Sequence, residues 1–479
     1  MKSKIEPPKP QITLTPGMHI HLVGLGGFGL SAIARVLLGK GFTVSGSDQQ
    51  MNELMKELET AGATVFQGHA PAHITGADIL LISSAIPPDN PEVTAALASG
   101  IPVLKRADFL GTLMSGTHGI AVAGTHGKTT TTGMIAQILV EAGLDPSVIV
   151  GGVLPALGSN GRAGQGDYFV VEADEYDHMF LGLRPQTAVV TNIEHDHPDL
   201  YPTAEAYRQA FHDFVSLLPE GGQLVVCTDD LGVSQLIQEM ELPNVRLITF
   251  GLEKADWQAL DLRVNQLGGT DFLVQHALDM VGLARLRVPG EHNVRNALAA
   301  ITVAGELGVD FAVTRQVLAE FGGIGRRFQV VGEIGDVAIV DDYAHHPTEI
   351  QATLAAARQR FPGRRIWAVW QPHTFSRTKL LLADFAASFA NADRVVLLDI
   401  YRSRETDNLG MDSAAVLKAI QHPDAYHAGG MEETTTYILD RVRPGDVVLT
   451  LTAGDGNLVG QWVLERLQKR VQNGRNKAV

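Results

Sequence analysis

The segment Gly124-Thr125-His126-Gly127-Lys128-Thr129-Thr130 lies between an apolar run, Ile120-Ala121-Val122-Ala123, and a stretch where Met134, Ile135, Ile138, Leu139 and Ala142 recur at helical spacing. In a strand–loop–helix setting, glycines let successive backbone N–H groups turn toward one point, and the helix N-terminus adds its positive end. Lys128 then reaches the outer phosphates of a nucleoside triphosphate, and the Thr129 hydroxyl is placed for Mg²⁺. Val122 stands where the first glycine of the usual Walker A spacing falls, so the loop is a shortened variant. Further on, Tyr168-Phe169-Val170-Val171 is a buried-strand run ending in Glu172-Ala173-Asp174-Glu175. A carboxylate at a strand end beside a phosphate loop is where Mg²⁺ needs a ligand. The next apolar run, Ala188-Val189-Val190, leads into Glu194-His195-Asp196-His197-Pro198-Asp199, a density of Glu, His and Asp that suggests a second divalent ion.

A second glycine turn stands near the N-terminus. Gly24-Leu25-Gly26-Gly27-Phe28-Gly29 satisfies G-x-G-x-x-G after the apolar strand His19–Val23 and before a helix from about Leu30 to Gly39. Asp48 closes the next strand, where a carboxylate can bind a ribose hydroxyl. Alone, this pattern reads as an NAD-dependent oxidoreductase. A nucleotide-sugar diphosphate satisfies the same turn, and it leaves ATP for the chemistry.

These loops need parallel sheets to hold them, and the chain is long enough to build several. Its 479 residues correspond to about three domains. Strands alternate with helices in three blocks, giving an α/β fold with expected domains 1–115 (Rossmann-like), 116–324 (P-loop-type ATPase) and 325–479 (Rossmann-like). Gly322-Gly323-Ile324-Gly325 is a plausible hinge before the third block. That block reads strand Val337–Val340, helix Thr348–Arg360, strand Ile366–Trp370, helix Thr378–Phe389, strands Val395–Ile400 and Val447–Leu451, and helix Asn457–Val471. The basic tail after Leu467 reads as a fraying, solvated end.

Composition excludes several classes. With Lys+Arg 38 against Asp+Glu 53, the net charge of −15 argues against nucleic acid as a partner. The single cysteine, Cys227 in the apolar run Leu224–Cys227, excludes intrachain disulfides and Cys-based zinc sites and reads as a core thiol. The N-terminal MKSKIEPPKPQ lacks the apolar run of a signal peptide, and no stretch reaches the roughly 18 apolar residues of a membrane helix. A cytoplasmic protein, without membrane insertion and either monomeric or homodimeric, is expected.

The motifs HLVGLGGFGLSAIA, VSGSD, GTHGKTTTT, VVEADEYD, TNIEHDHPD, GEHNVRNALAA, GIGRRF, DDYAHHPTEI and QPHTFSRT, in that order, resemble the Mur ligase family, the ATP-dependent amide-forming enzymes of peptidoglycan synthesis. The resemblance covers nearly the whole chain. It implies that the first domain binds a UDP-sugar, the second ATP and the third an amino acid. Gly26, Gly27 and Gly29 would meet the UDP diphosphate, with Asp48, His69 and Ser84 near the uridine. Gly124 to Thr130 would hold ATP phosphates, His292, Asn293 and Asn296 would flank its adenine, and Arg326 and Asp342 would complete the nucleotide site. Thr129, Glu172 and His197 would hold Mg²⁺, or Mn²⁺ in its place. Tyr343, His345, His373 and Arg377 would surround the amino acid, with Arg377 on its carboxylate.

The implied reaction joins L-alanine to the lactyl carboxylate of UDP-N-acetylmuramate through an acyl phosphate. Lys128, Glu172, His197 and Arg326 would serve the phosphoryl transfer, with His345 as a candidate base. The alternatives are a recycling ligase that adds a tripeptide to the same sugar nucleotide and, from the glycine turn alone, the oxidoreductase. Other Mur ligases carry a carbamoylated lysine where Phe211 stands, which agrees with the L-alanine-adding branch. Thr374 and Phe375 occupy places where some members of that branch carry Arg and Tyr.

Overall fold

The computed structural model describes residues 12–476. The reading of the N-terminal MKSKIEPPKPQ lies outside those residues. The fold is α/β, built on three sheets of five, ten and six strands.

The first sheet is wholly parallel, in the spatial order Thr64–Gln67, Thr43–Asp48, His19–Val23, Ile79–Ile82, Val103–Lys105. The expected helix after the glycine turn runs Phe28–Gly39 and buries Leu30, Ile33, Val36 and Leu37. In the second sheet the strand entering the phosphate loop, His118–Ala123, is flanked by Tyr168–Glu172 on one side and Thr187–Val190 on the other. Glu172 is level with Val122, and Val190 with Ala123, so all three strands end at one edge. In the third sheet Asp446–Thr452 lies between Val337–Asp342 and Arg365–Gln371, again with parallel ends aligned. Ligands of open parallel sheets bind outside such carboxyl ends.

Strands of this kind are covered on both faces, which is why they read as unbroken apolar runs. Successive residues of the second sheet fall alternately into two separate cores: Ala121, Ala123, Val171 and Val190 in one, Ile120, Val122, Val170 and Val189 in the other. The first of those cores also contains Ile20, Leu22 and Ile33, so the first and second sheets share buried apolar surface. The two cores of the third sheet begin at Phe328 and Val331 and share nothing with either.

Four features depart from the sequence reading. The second block is not a simple strand–helix alternation, because Trp257–Val264, Thr270–His276 and Asp279–Arg285 extend its sheet as an antiparallel ladder. The third sheet opens on an antiparallel pair, Gln329–Ile334 with Val337–Asp342. The helix expected over Thr378–Phe389 is two short pieces, Phe375–Leu380 and Leu382–Ala386. The basic tail continues the last helix, Asn457–Asn476, rather than ending it at Val471. Among the described residues, no helix is long and apolar enough to cross a membrane.

Candidate active site

The phosphate loop uses its glycines for backbone shape. Gly124 and Gly127 have φ of 141° and 80°, and a Cβ on Gly127 would collide with the Asn296 side chain. The loop is pinned from the neighbouring strand: Thr125 N–H donates to the Asn192 carbonyl (3.0 Å) and His126 N–H to Asn192 Oδ1 (2.8 Å). Lys128 leads the helix Lys128–Glu141, and its Nζ bonds the carbonyls of Gly124 (2.5 Å) and Thr125 (3.0 Å). The same ammonium pairs with buried Glu175 at 2.9 Å. Burial opposes the charged form of each, yet the pair keeps both charged: Lys128 is raised, and Glu175 is lowered to about 2 by Lys128 and His197.

Next to this pair, Thr129 Oγ1 donates to Glu172 Oε1 (2.9 Å), and Gly151 N–H to Glu172 Oε2 (2.7 Å). Burial raises the Glu172 carboxyl despite Lys128 nearby. His197, at φ 54°, brings Nε2 to 3.6 Å from Glu175 Oε1, and Asp196 and Glu175 raise its pKa against burial. Arg377 clasps Asp196 through Nε (2.7 Å) and Nη2 (3.2 Å) and donates from Nη1 to His373 Nδ1 (3.0 Å). Burial, with the charge of Arg377, lowers His373 to about 2, so its ring is a neutral acceptor. The guanidinium expected to meet an amino-acid carboxylate is therefore held by Asp196, a carboxylate of the second sheet. His345 Nδ1 donates to the Tyr343 carbonyl (2.9 Å), which leaves Nε2 as its free nitrogen.

These groups line one cavity of about 360 Å³ into which all three sheets contribute. Gly29 and Arg106 come from the first; Lys128, Thr129, Glu172 and His197 from the second; Arg326, Tyr343, His345, His373 and Arg377 from the third. Arg326, with φ 61°, is fixed within the third sheet by Asp341 (3.1 Å) and the Thr452 carbonyl (2.7 Å). A second cavity, of about 300 Å³, lies on the other side of the phosphate loop. His126, Thr130, His292, Asn293, Asn296 and Asp342 line it, and it shares Gly127, Thr129, Arg327 and Glu349 with the first. Burial raises Asp342 to about 7 and lowers His292 to about 4. Cys227 is also at this wall, and burial raises its thiol to about 12, as fits a core thiol.

The N-terminal residues form a separate group. Gly26 N–H donates to Asp48 Oδ2 (3.0 Å), so Asp48 braces the glycine turn itself. His69 Nδ1 is 2.9 Å from Ser47 Oγ and 3.2 Å from buried Glu92, and Ser84 follows the strand Ile79–Ile82. Gly26, Gly27, Asp48, His69 and Ser84 line neither cavity. Three residues the sequence reading gave no separate role are structurally central. Glu175 was visible as the last acid of EADE, Asn192 as the polar end of a strand, and Glu349 as the first-turn acid of the helix Pro347–Arg360. Phe211 is fully buried between Phe180 and Tyr207.

Three family models match successive parts of the chain: the Mur ligase family catalytic domain over residues 19–118, the Mur ligase middle domain over 122–304, and the Mur ligase glutamate ligase domain over 326–454. The chain is 44% identical over 453 residues to the UDP-N-acetylmuramate–L-alanine ligase of Geotalea uraniireducens, covering 94% of this chain and 98% of that one. It is 41% identical over 463 residues to the enzyme of the same name from Caldanaerobacter subterraneus, covering 96% and 100%. Among solved structures, UDP-N-acetylmuramate–alanine ligase from Thermotoga maritima superposes with TM-score 0.80 at 29% identity, covering 95% and 100%. A murein peptide ligase from Psychrobacter arcticus superposes with TM-score 0.73 at 28% identity, covering 94% and 99%.

Proposed function

The chain belongs to the Mur ligase family, and from that membership we propose that it is the ATP-dependent ligase joining L-alanine to the lactyl carboxylate of UDP-N-acetylmuramate. The observation that carries the reading is the single cavity to which the glycine turn, the phosphate loop and the third sheet all contribute side chains. Residues 1–115 are assigned the UDP-sugar, 116–324 ATP, and 325–479 the amino acid.

A carboxylate resists an amine because its leaving group would be oxide. Transfer of the ATP γ-phosphoryl to it gives an acyl phosphate, whose leaving group is phosphate. In this assignment Lys128 gives up its contacts with the Gly124 and Thr125 carbonyls and meets the phosphoryl oxygens, its charge secured by Glu175. Thr129, Glu172 and His197 would hold Mg²⁺ or Mn²⁺. A hydroxyl against a carboxylate whose burial lacks full compensation is a fitting hard-oxygen donor set. The ion supplies charge neutralisation at the transferring phosphoryl. Adenine lies by His292, Asn293 and Asn296, and Asp342 faces the nucleotide.

The alanine amine then attacks the acyl carbon, and phosphate leaves as the tetrahedral intermediate collapses to the amide. His345 takes the amine proton at Nε2, the nitrogen left free by the Tyr343 carbonyl. Arg377 offers its guanidinium to the alanine carboxylate beside Tyr343 and His373. Arg326 adds positive charge from the third sheet once the domains close.

The test is phosphate release from ATP with UDP-N-acetylmuramate and Mg²⁺, scanning L-alanine, glycine, serine and a muropeptide tripeptide. Strong stimulation by L-alanine, with the amide product seen by mass, is expected. Stimulation by the tripeptide alone would move the chain to the recycling branch.

A further inference from the structure

One further cluster of metal-ligating side chains bridges two sheets beside the nucleotide cavity, and of its members only His126, in the phosphate loop, has been given a role above. His126 of the phosphate loop places Nε2 3.0 Å from Glu194 Oε2, and His346 of the third block places Nδ1 3.8 Å from that same oxygen. Ligand atoms of His126, Glu194 and His346 all lie within 4.8 Å of one another, and the two imidazole centroids are 4.8 Å apart. The 3.0 Å contact is a hydrogen bond in this structure; ligands about 2.0–2.1 Å from a tetrahedral ion stand about 3.3 Å from each other, so an ion replacing that proton requires only a small shift of these two edges.

Three further features point to a ligand. His346 is 2% exposed; its ring faces the Glu349 backbone N–H in the capping box of the helix Pro347–Arg360, but neither ring nitrogen makes a well-formed hydrogen bond. A buried imidazole without partners is rare unless something else satisfies it. Glu194 has its other oxygen, Oε1, engaged by the Thr348 hydroxyl (2.7 Å), which presents Oε2 to the two rings. His126 has its far nitrogen, Nδ1, 3.2 Å from Glu349 Oε1, the carboxylate–imidazole arrangement that orients metal-bound histidines. Two imidazoles and one carboxylate, with a fourth position open, suit a borderline ion such as Zn²⁺ better than Mg²⁺.

We propose that His126, Glu194 and His346 form a Zn²⁺-class site, separate from the Thr129–Glu172–His197 group, that latches the third domain onto the phosphate loop. Two of its ligands belong to the second domain and one to the third, so an ion bound there holds the domains closed and fixes the loop in its present shape. Zn²⁺ then acts on this chain as an inhibitory latch. Binding is measured without nucleotide, so the result is independent of the ligase reading.

The test is equilibrium dialysis of the full chain against Zn²⁺ alone, with metal quantified by mass spectrometry. One site is expected, with affinity falling by roughly two orders of magnitude in His346→Ala and by about 10–100-fold in Glu349→Gln, since ligand and orienting carboxylate are lost in turn. His197→Ala is expected to retain it. Anomalous diffraction at the zinc edge of wild-type crystals gives a second readout that needs no variant. A peak between His126 and His346 supports the site. A peak at Glu172–His197, no peak, or equal Zn²⁺ affinity in wild type, His346→Ala and Glu194→Gln overturns it.

Discussion

Lys128 contacts three groups that a phosphate would replace or exploit, the carbonyls of Gly124 and Thr125 and the Glu175 carboxylate, and only the last is an ion pair. Replacing it removes the charge that compensates Glu175 and Glu172 as well as the group that meets ATP. Lys128→Ala is expected to abolish phosphate release, while UDP-N-acetylmuramate still binds through the first domain, as calorimetry can separate. Loss of both would mean that the division of labour between domains is wrong. A second residue-scale expectation concerns Glu92, buried beneath the first sheet with Ser47 Oγ at 2.5 Å and His73 Nδ1 at 2.7 Å. Burial alone would raise its pKa, but His21, Ser47 and His73 lower it to about 2 from 4.5. A lowered carboxyl contributes stability above its unfolded pKa and loses it as pH falls toward the folded one. Stability of about 3 kcal/mol should therefore fade between pH 4.5 and 2. Urea denaturation against pH should show a flatter acid limb in Glu92→Gln. Lys128, Thr129 and Glu172 were legible because strand, glycine and chemistry coincide in one short segment. Glu175 was not, because its role depends on which way a turn carries it, and no spacing rule encodes that.

At the scale of elements, the parallel strands were legible because burial on both faces writes them as apolar runs. The antiparallel ladder of Trp257–Arg285 was not, since its outermost strand leaves apolar residues such as Met280 and Leu283 exposed. Likewise Thr378–Phe389 has helical composition, but the helix breaks at Leu381, with Thr378 buried before the break and Phe385 after it. One joint depends on a residue no pattern singles out. Gly161, in the edge strand Ser159–Arg162, lies against the backbone of Ala32 in the helix Phe28–Gly39, where any Cβ would collide. Asn160 ties the same strand to the Phe28 carbonyl at 2.7 Å. Gly161→Ala must push helix and strand apart, an overpacking cost of about 1–3 kcal/mol. A lowered melting temperature is expected, together with weaker UDP-sugar binding, because the displaced helix begins at the glycine turn. A melting temperature equal to wild type would show that the two sheets are not rigidly joined there.

At the scale of the whole molecule, the apolar cores divide the chain unevenly. The first two sheets share one core, whereas the third is attached to them largely by polar contacts. Those contacts include Arg377–Asp196 (2.7 Å), Thr348–Glu194 (2.7 Å) and His126–Glu349 (3.2 Å). Apolar burial is hard to make and break in a catalytic cycle, while ion pairs exchange readily with water, so this seam is the one built to open. Arg377–Asp196 is its most buried pair, with Asp196 held well below the usual carboxylate range against burial. Removing one partner of such a pair leaves the other uncompensated, at about 3–5 kcal/mol if it stays buried. The molecule can escape that cost by opening, because the guanidinium then hydrates. Asp196→Ala is therefore expected to leave the unfolding of the first two sheets nearly unchanged while enlarging the radius of gyration of the ligand-free protein in solution scattering. L-Alanine, ATP and UDP-N-acetylmuramate together should restore compactness only in part, since Arg377 regains an anion but loses its link to the second sheet. A variant as compact as wild type, with the cost appearing instead as global destabilisation, would mean that the third domain does not open at this seam.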